Sequence, residues 1–158
     1  MANTQAMTTS FMGELMTATH NFGTAPVRAT GATDSFKAAL YLTTATVNAA
    51  TTAYSASNEV SGTGYSAGGV AVTFGTPPTA TNSSATAGVA FVTPSASITY
   101  TTVTLATAFD AVLIYNSTQS NKAVSVHTFG SQTISAGTFT LTMPANTTST
   151  ALIRLATT

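Results

Sequence analysis

The sequence predicts an all-β fold, a β-sandwich or jelly roll of roughly eight strands that follows an N-terminal arm or short helix. Three observations lead to this prediction. Apolar residues recur at every second position over most of the chain, threonine is the commonest residue, and clusters of Gly, Pro, Asn and Ser separate the apolar runs. With 158 residues and no cysteine, the chain is long enough to bury one core without disulfides.

Residues 1–33 are predicted to form the arm or short helix, and residues 34–158 the β-sandwich domain. Four apolar side chains of the arm recur at helical spacing: Phe11, Met12, Leu15 and Met16. Thr8, Thr9 or Ser10 is expected to cap the start of this helix, and residues 21–23 to end it. The arm packs either on its own domain or on a neighbouring chain, where flexible methionines suit irregular surfaces.

From residue 34 onward the apolar period is two, which is typical of strands. Strands are predicted around 36–42, 70–74, 98–105, 111–115, 124–129, 139–143 and 151–155. The continuous apolar run at 111–115 predicts a central strand, and a change of phase at Thr101–Thr102 predicts a β-bulge. Val124 and Val126 are expected to share one face. Turns are predicted between the runs, including at Gly130 and at 136–137.

Charge is the most unusual property of the composition. Asp, Glu, Lys and Arg make up 5% of the chain, whereas about 25% is usual. Four scattered cations form no basic stripe, so no nucleic-acid partner is expected. No apolar run approaches membrane-spanning length, so no membrane partner is expected. A chain with so few charges has little electrostatic protection against self-association, which indicates that its surface is largely covered in use.

One pattern imitates a hydrolase site. Residues 64–68 match the G-x-S-x-G nucleophile elbow around Ser66, and Asp110 and His127 follow in hydrolase order. The elbow requires a helix after the serine, but the residues that follow here predict a strand. We therefore expect no catalytic residue and no enzyme.

No cofactor and no metal site are expected either. The chain has no cysteine, and its four acids, Glu14, Asp34, Glu59 and Asp110, are scattered. Glu14 and His20 lie six residues apart, which does not align them on one helix face. His20 and His127 are therefore expected to be structural.

The candidate interface combines the arm with two aromatic residues that flank a glycine-rich loop. Tyr54 and Tyr65 either anchor a partner or hold the loop in place. The full set of candidate interface residues is Phe11, Met12, Leu15, Met16, Tyr54 and Tyr65.

The loop from Tyr54 to Gly69 reads Y-x-x-x-N-E-V-x-G-x-G-Y-x-A-G-G, and a second block spans residues 107–116. Both resemble small structural proteins of tailed bacteriophages. The resemblance implies a virion structural protein, most similar to a capsid decoration (cement) protein on the phage head surface, made in the bacterial host cytoplasm. Its implied partners are the major capsid protein and itself, as a dimer or trimer. A tail or fibre component remains open, as does a receptor- or carbohydrate-binding module that uses Tyr54 and Tyr65.

Overall fold

β-Strands dominate the computed structural model, which describes residues 3–16, 19–20, 22, 34–75, 78–81 and 88–156. The strands form two sheets in which all neighbouring strands run antiparallel. The prediction of an all-β fold is therefore confirmed. The described elements are β1 (Ala6–Met7), α1 (Thr9–Met16), β2 (Phe36–Leu42), β3 (Val70–Val72), β4 (Thr79–Thr81), β5 (Val89–Val92), β6 (Ile98–Asn116), β7 (Lys122–Leu141) and β8 (Ile153–Ala156).

The larger sheet has five strands in the order β1-β7-β6-β2-β3, which places β6 at its centre. Residues 111–116 of β6 are all buried. The prediction of a central strand over 111–115 is confirmed, because only a strand covered on both faces can bury consecutive apolar side chains.

The alternation predicted for β2 is also confirmed. Phe36, Ala38 and Leu40 lie in the larger of two apolar clusters, which fills one side of the sheet. Ala39 and Tyr41 lie in a smaller cluster on the other side. Because successive side chains of a strand point to opposite faces, β2 contributes to both clusters at once.

β6 and β7 form a single hairpin of 19 and 20 residues. The bulge predicted at Thr101–Thr102 is confirmed, since the pairing shifts between Tyr100 and Val103 and Thr102 has a φ of 55°. The extra residue restores the phase, so that residues on either side of the bulge enter the same cluster.

The turns predicted at Gly130 and at 136–137 are wrong, because β7 continues through both positions. Ala136 does take a left-handed φ of 48°, but the irregularity is a shift of pairing within the hairpin and not a reversal of the chain. A bulge and a turn use the same residue types, so local sequence does not distinguish them.

The smaller sheet has three strands in the order β4-β5-β8. Val92 of β5 and Ile153 of β8 lie in the same apolar cluster as Phe36 and Leu105 of the larger sheet. One core therefore joins strands from both sheets.

The N-terminal segment adds β1 to the edge of β7, through the pairs Ala6–Val126 and Met7–Ser125, and then forms α1. The helix ends at Met16, earlier than predicted. The Thr8 hydroxyl does not cap it but donates to the carbonyl of Ala123 at 3.2 Å. Residues 23–33, up to the predicted domain boundary, lie outside the described residues.

Candidate functional site

Two of the four candidate interface residues of the arm, Phe11 and Leu15, pack on this chain's own core. Phe11 is fully buried, with its ring 4.8 Å from the His20 imidazole and 5.8 Å from the Phe22 ring. Leu15 is half-buried and packs on the same cluster. Met12 and Met16 lie in α1, but their side chains are outside those described. With the arm in place, Phe11 is a core residue and not a free contact.

A group of polar side chains, which we call the arm network, joins this segment to the hairpin. His20 Nε2 lies 2.7 Å from Glu14 Oε2, and the Lys122 ammonium donates to the other oxygen of Glu14. On the other side of the imidazole, Asn116 Nδ2 lies 3.1 Å from His20 Nδ1. The members of the network are Glu14, His20, Asp34, Asn116, Gln119 and Lys122.

Asn116 fixes the protonation of His20. Its amide nitrogen donates to Asp34 Oδ2 at 2.8 Å, and its amide oxygen accepts the backbone N–H groups of Thr118 and Gln119, each at 3.1 Å. The amide therefore presents N–H to the imidazole, so Nδ1 must accept and Nε2–H donates to Glu14. This is the neutral tautomer, and a second proton on Nδ1 would face a donor.

The pKa values follow from this arrangement. Burial lowers the pKa of His20, although the Glu14 carboxylate opposes this effect. Burial alone would raise the pKa of Glu14, but the hydrogen bonds from Lys122 and His20 outweigh it and lower that pKa. The network therefore favours an ionised Glu14 beside a neutral His20.

The contact between Glu14 and His20 was not predicted. On a continuous helix, residues six apart point in different directions. The helix instead ends at Met16, and the Thr19 N–H donates to the Glu14 carbonyl at 2.9 Å. Because His20 lies beyond the end of the helix, helical spacing does not determine its distance from Glu14.

Tyr54 and Tyr65 are joined by Glu59, which the sequence analysis did not single out as an interaction partner. Their hydroxyls donate to its two carboxylate oxygens, each at 2.6 Å, and the Gly68 N–H donates to Oε1 at 2.8 Å. Burial, and then the Glu59 carboxylate, raise the pKa of both tyrosines, so the phenols stay protonated and keep donating.

One face of each of these tyrosine rings is also occupied. Tyr54 stacks on Tyr115 with centroids 4.7 Å apart, and Tyr65 stacks on Tyr100 at 5.9 Å. The Tyr65 hydroxyl accepts the Leu40 N–H at 3.0 Å as well. Of the two interpretations left open for these residues, the contacts correspond to tyrosines that hold the loop in place.

Two glycines let this loop lie directly on the sheet. A Cβ at Gly69, whose φ is 73°, would come within 1.6 Å of the Ala38 carbonyl oxygen, and one at Gly62 within 2.0 Å of the Thr104 oxygen. Only glycine fits such close approaches of backbone to backbone. The loop motif thus has a structural explanation at Glu59, at both tyrosines and at these glycines.

The residues of the hydrolase-like pattern have separate contacts. The strand predicted after Ser66 is confirmed as β3, which pairs antiparallel with β2. Ser66 is exposed, Asp110 accepts a hydrogen bond from Asn3, and His127 Nε2 lies 2.9 Å from Ser125 Oγ. The geometry required of a nucleophile elbow, a strand followed by a helix, is not the geometry around Ser66.

Within the described ranges, no group of three or more His, Asp or Glu side chains is placed to hold a metal ion. No described helix is long and apolar enough to cross a membrane. Comparison of the chain with protein-family models, with curated proteins and with solved structures gave no match.

Proposed function

We propose that this chain is a structural component of a tailed-bacteriophage virion, a decoration protein that bridges major capsid subunits and stabilises the head. One observation carries the proposal: the acidic side chains make contacts within the molecule, whereas the exposed faces of the strands carry few charges. A surface of that kind is suited to close contact with neighbouring chains.

The internal use of charge is specific. Glu14 contacts Lys122 and His20, Asp34 accepts from Asn116 and Gln119, and Glu59 accepts from two tyrosines. No Asp, Glu, Lys or Arg occurs between Glu59 and Asp110, or between Lys122 and Arg154. The exposed positions of the hairpin are filled mainly by small polar side chains: Thr99, Thr101, Thr102, Thr107, Ser131, Gln132, Thr133, Ser135, Thr138 and Thr140.

A surface of this kind lowers the desolvation cost of binding a partner. Covering a charged group requires its desolvation, whereas threonine hydroxyls can exchange hydrogen bonds with water for hydrogen bonds with a partner. Apolar area buried at each contact contributes roughly 25 cal/mol per Å². Because a capsid repeats the same seam many times, modest affinity at each site is sufficient.

The proposal includes the finer architecture expected from the sequence, a β-sandwich. Its support is the shared cluster that takes Val92 and Ile153 from the smaller sheet and Phe36 and Leu105 from the larger one. Two sheets that contribute inward-facing residues to one core are the arrangement of a sandwich.

The loop motif adds a second line of support. The residues through which this chain resembles phage structural proteins include Glu59, Tyr65 and Gly69, and each of them fixes the loop on the sheet. A motif that specifies a loop fold is what related structural proteins would share. The stacking of Tyr54 on Tyr115 and of Tyr65 on Tyr100 counts against the carbohydrate-binding alternative, which needs free aromatic faces.

Copy number in purified particles tests the proposal, because a decoration protein occupies every equivalent seam. Quantitative mass spectrometry should give near one copy per major capsid subunit. The low-order symmetry of the tail limits the number of copies of a tail or fibre protein. A ratio below about one copy per twenty major capsid subunits would therefore contradict the decoration assignment and favour a tail protein. Absence from particles would overturn the virion proposal itself.

A further inference from the structure

The outer edge of β7 has a strand partner over only a small part of its length. β1 covers that edge at Ser125 and Val126, and the Thr8 N–H donates to Val124 at 3.1 Å. Among the described residues, no strand pairs with the same edge from His127 to Leu141. At about 3.3 Å per residue, this edge is roughly 50 Å long.

Charged residues and proline, which usually protect an exposed edge, are missing here. Natural sheets protect their edges with lysine, proline, inward-pointing charges or bulges. From His127 to Leu141 the chain has no Lys, Arg, Asp, Glu or Pro. Bulges are present, since the pairing with β6 shifts between Thr128 and Gln132 and again between Ile134 and Gly137. Beyond them lies a regular segment, where Phe139, Thr140 and Leu141 pair with Tyr100, Thr99 and Ile98.

The direction of the backbone groups in that segment can be derived. The Met143 N–H donates to Ser97 Oγ at 3.4 Å, so it points towards β6. Backbone groups of a strand alternate in direction, so Phe139 and Leu141 also point towards β6. The N–H and C=O groups of Thr138 and Thr140 therefore point outward, to the uncovered edge.

We propose that this edge pairs with the same edge of a second copy, antiparallel, so that the larger sheet continues across a two-fold dimer. A strand edge is its own complement under a two-fold axis. Because the edge is uncharged, no like charges meet when two copies approach. Threonines opposite one another across strands are a favourable pair, and the half-buried Phe139 and Leu141 gain cover from the second copy.

The role of this dimer in a virion rests on the proposed function. The dimer itself can be tested without particles. Sedimentation of the purified full chain should show a concentration-dependent dimer. Thr140→Pro removes an outward N–H and no hydrogen bond of the β6–β7 ladder. Because an isologous contact loses that bond twice, the dissociation constant should rise about tenfold or more.

Thr99→Pro is the matched control. Thr99 lies directly opposite Thr140 on the same face, and the same alternation points its N–H away from β7. Thr99→Pro should lower the free energy of unfolding about as much as Thr140→Pro does. It should leave the dissociation constant of the dimer unchanged. Thr140→Lys and Thr99→Lys repeat the comparison with a charge and no change to the backbone, in case proline prevents folding.

Three outcomes would overturn the inference. They are a chain that stays monomeric at every concentration, a dimer that both Thr140 variants leave unchanged, and a dimer that Thr99→Lys weakens as much as Thr140→Lys. If the chain stays monomeric but still binds capsids, the β7 edge would instead be assigned to contact with the capsid protein. The proposed function would then stand. A chain that dimerises through this edge but is absent from particles would support the dimer and contradict the proposed function.

Discussion

The two ends of the β6–β7 hairpin differ in what covers them. At the turn end, residues 109–116 of β6 and 122–126 of β7 are almost all buried, and the arm network surrounds them. At the open end, residues 98–108 and 127–141 bury one face and expose the other. One continuous pair of strands is therefore core at one end and surface at the other.

The chemistry changes with the covering. Buried polar groups must be paired, so both sides of the buried Asn116 amide are bonded at the turn end. The partly exposed Lys122 donates to Glu14 beside it. The open end has no such network, and its exposed positions are filled largely by threonine, which favours strands and stays hydrated without charge. The turn end is therefore fixed by specific polar contacts, whereas the open end presents an exposed face of small polar side chains.

The largest expected effect is at the arm that covers the turn end. Phe11→Ala should lower the free energy of unfolding by about 3–5 kcal/mol, because a fully buried ring leaves a cavity. Phe139→Ala, at the half-buried open end, should cost clearly less. Urea denaturation followed by circular dichroism measures both. A loss from Phe11→Ala no larger than that from Phe139→Ala would mean that the arm is dispensable for folding and free to bind a neighbour.

The next effect concerns the carboxylate that holds the loop. Glu59→Gln should cost about 1–3 kcal/mol, because an amide nitrogen cannot accept from a tyrosine hydroxyl. The reverse change at the exposed open end, Gln132→Glu, should stay within about 0.5 kcal/mol. Equal losses in the same denaturation assay would show that the Glu59 contacts add nothing to stability.

A smaller effect is expected from pH, and it involves one histidine at each end. Burial lowers the pKa of His127 to about 4, and it also lowers the pKa of His20 from its usual value of 6.5. Because the unfolded chain then binds protons first, the free energy of unfolding should fall as pH decreases from 6.5 towards 4. Glu14, whose pKa is also lowered, acts in the same direction as the pH falls below 4.5.

Denaturation at a series of pH values tests this expectation. His127→Gln should flatten the curve between pH 6.5 and about 4, and His20→Gln should flatten it separately. A parent protein whose stability is constant or rises on acidification over that range would contradict the burial of both neutral imidazoles.

The smallest effect is expected at the exposed Ser66. Ser66→Ala should change the free energy of unfolding by less than about 0.5 kcal/mol, since the side chain is on the surface. Parent and variant should hydrolyse a nitrophenyl ester at the same background rate. An activity of the parent that disappears in the variant would establish an enzyme and refute the interpretation of residues 64–68 as a loop.

Local pattern was sufficient where each strand keeps a regular phase. The two faces of β2 and the buried run of β6 followed from alternation alone, and the bulge at Thr102 from a single change of phase. The prediction that Val124 and Val126 share a face was wrong, because they lie in different apolar clusters. The pairing of β6 with β7 shifts beside Val124, and that shift depends on the partner strand, which the sequence of β7 does not reveal.

The polar contacts were the least predictable part. Glu59 was considered only as a scattered acid, although both tyrosines beside it were singled out. Asn116 joins His20 to Asp34 across residues far apart in the chain. Hydrogen bonds of this kind depend on the fold as a whole, and no spacing rule indicates them in advance.

The bond between Thr8 and Val124 has a consequence for synthesis on the ribosome. The two residues are separated by 116 positions, so the N-terminal segment emerges long before the strand on which it docks. At about 5–20 residues per second, translation leaves that interval open for roughly 6 to 23 s. During this time the cluster on which Phe11 and Leu15 pack still lacks Val124 and Ile153. The cluster around Phe11 can therefore be completed only after β7 and β8 have both left the exit tunnel.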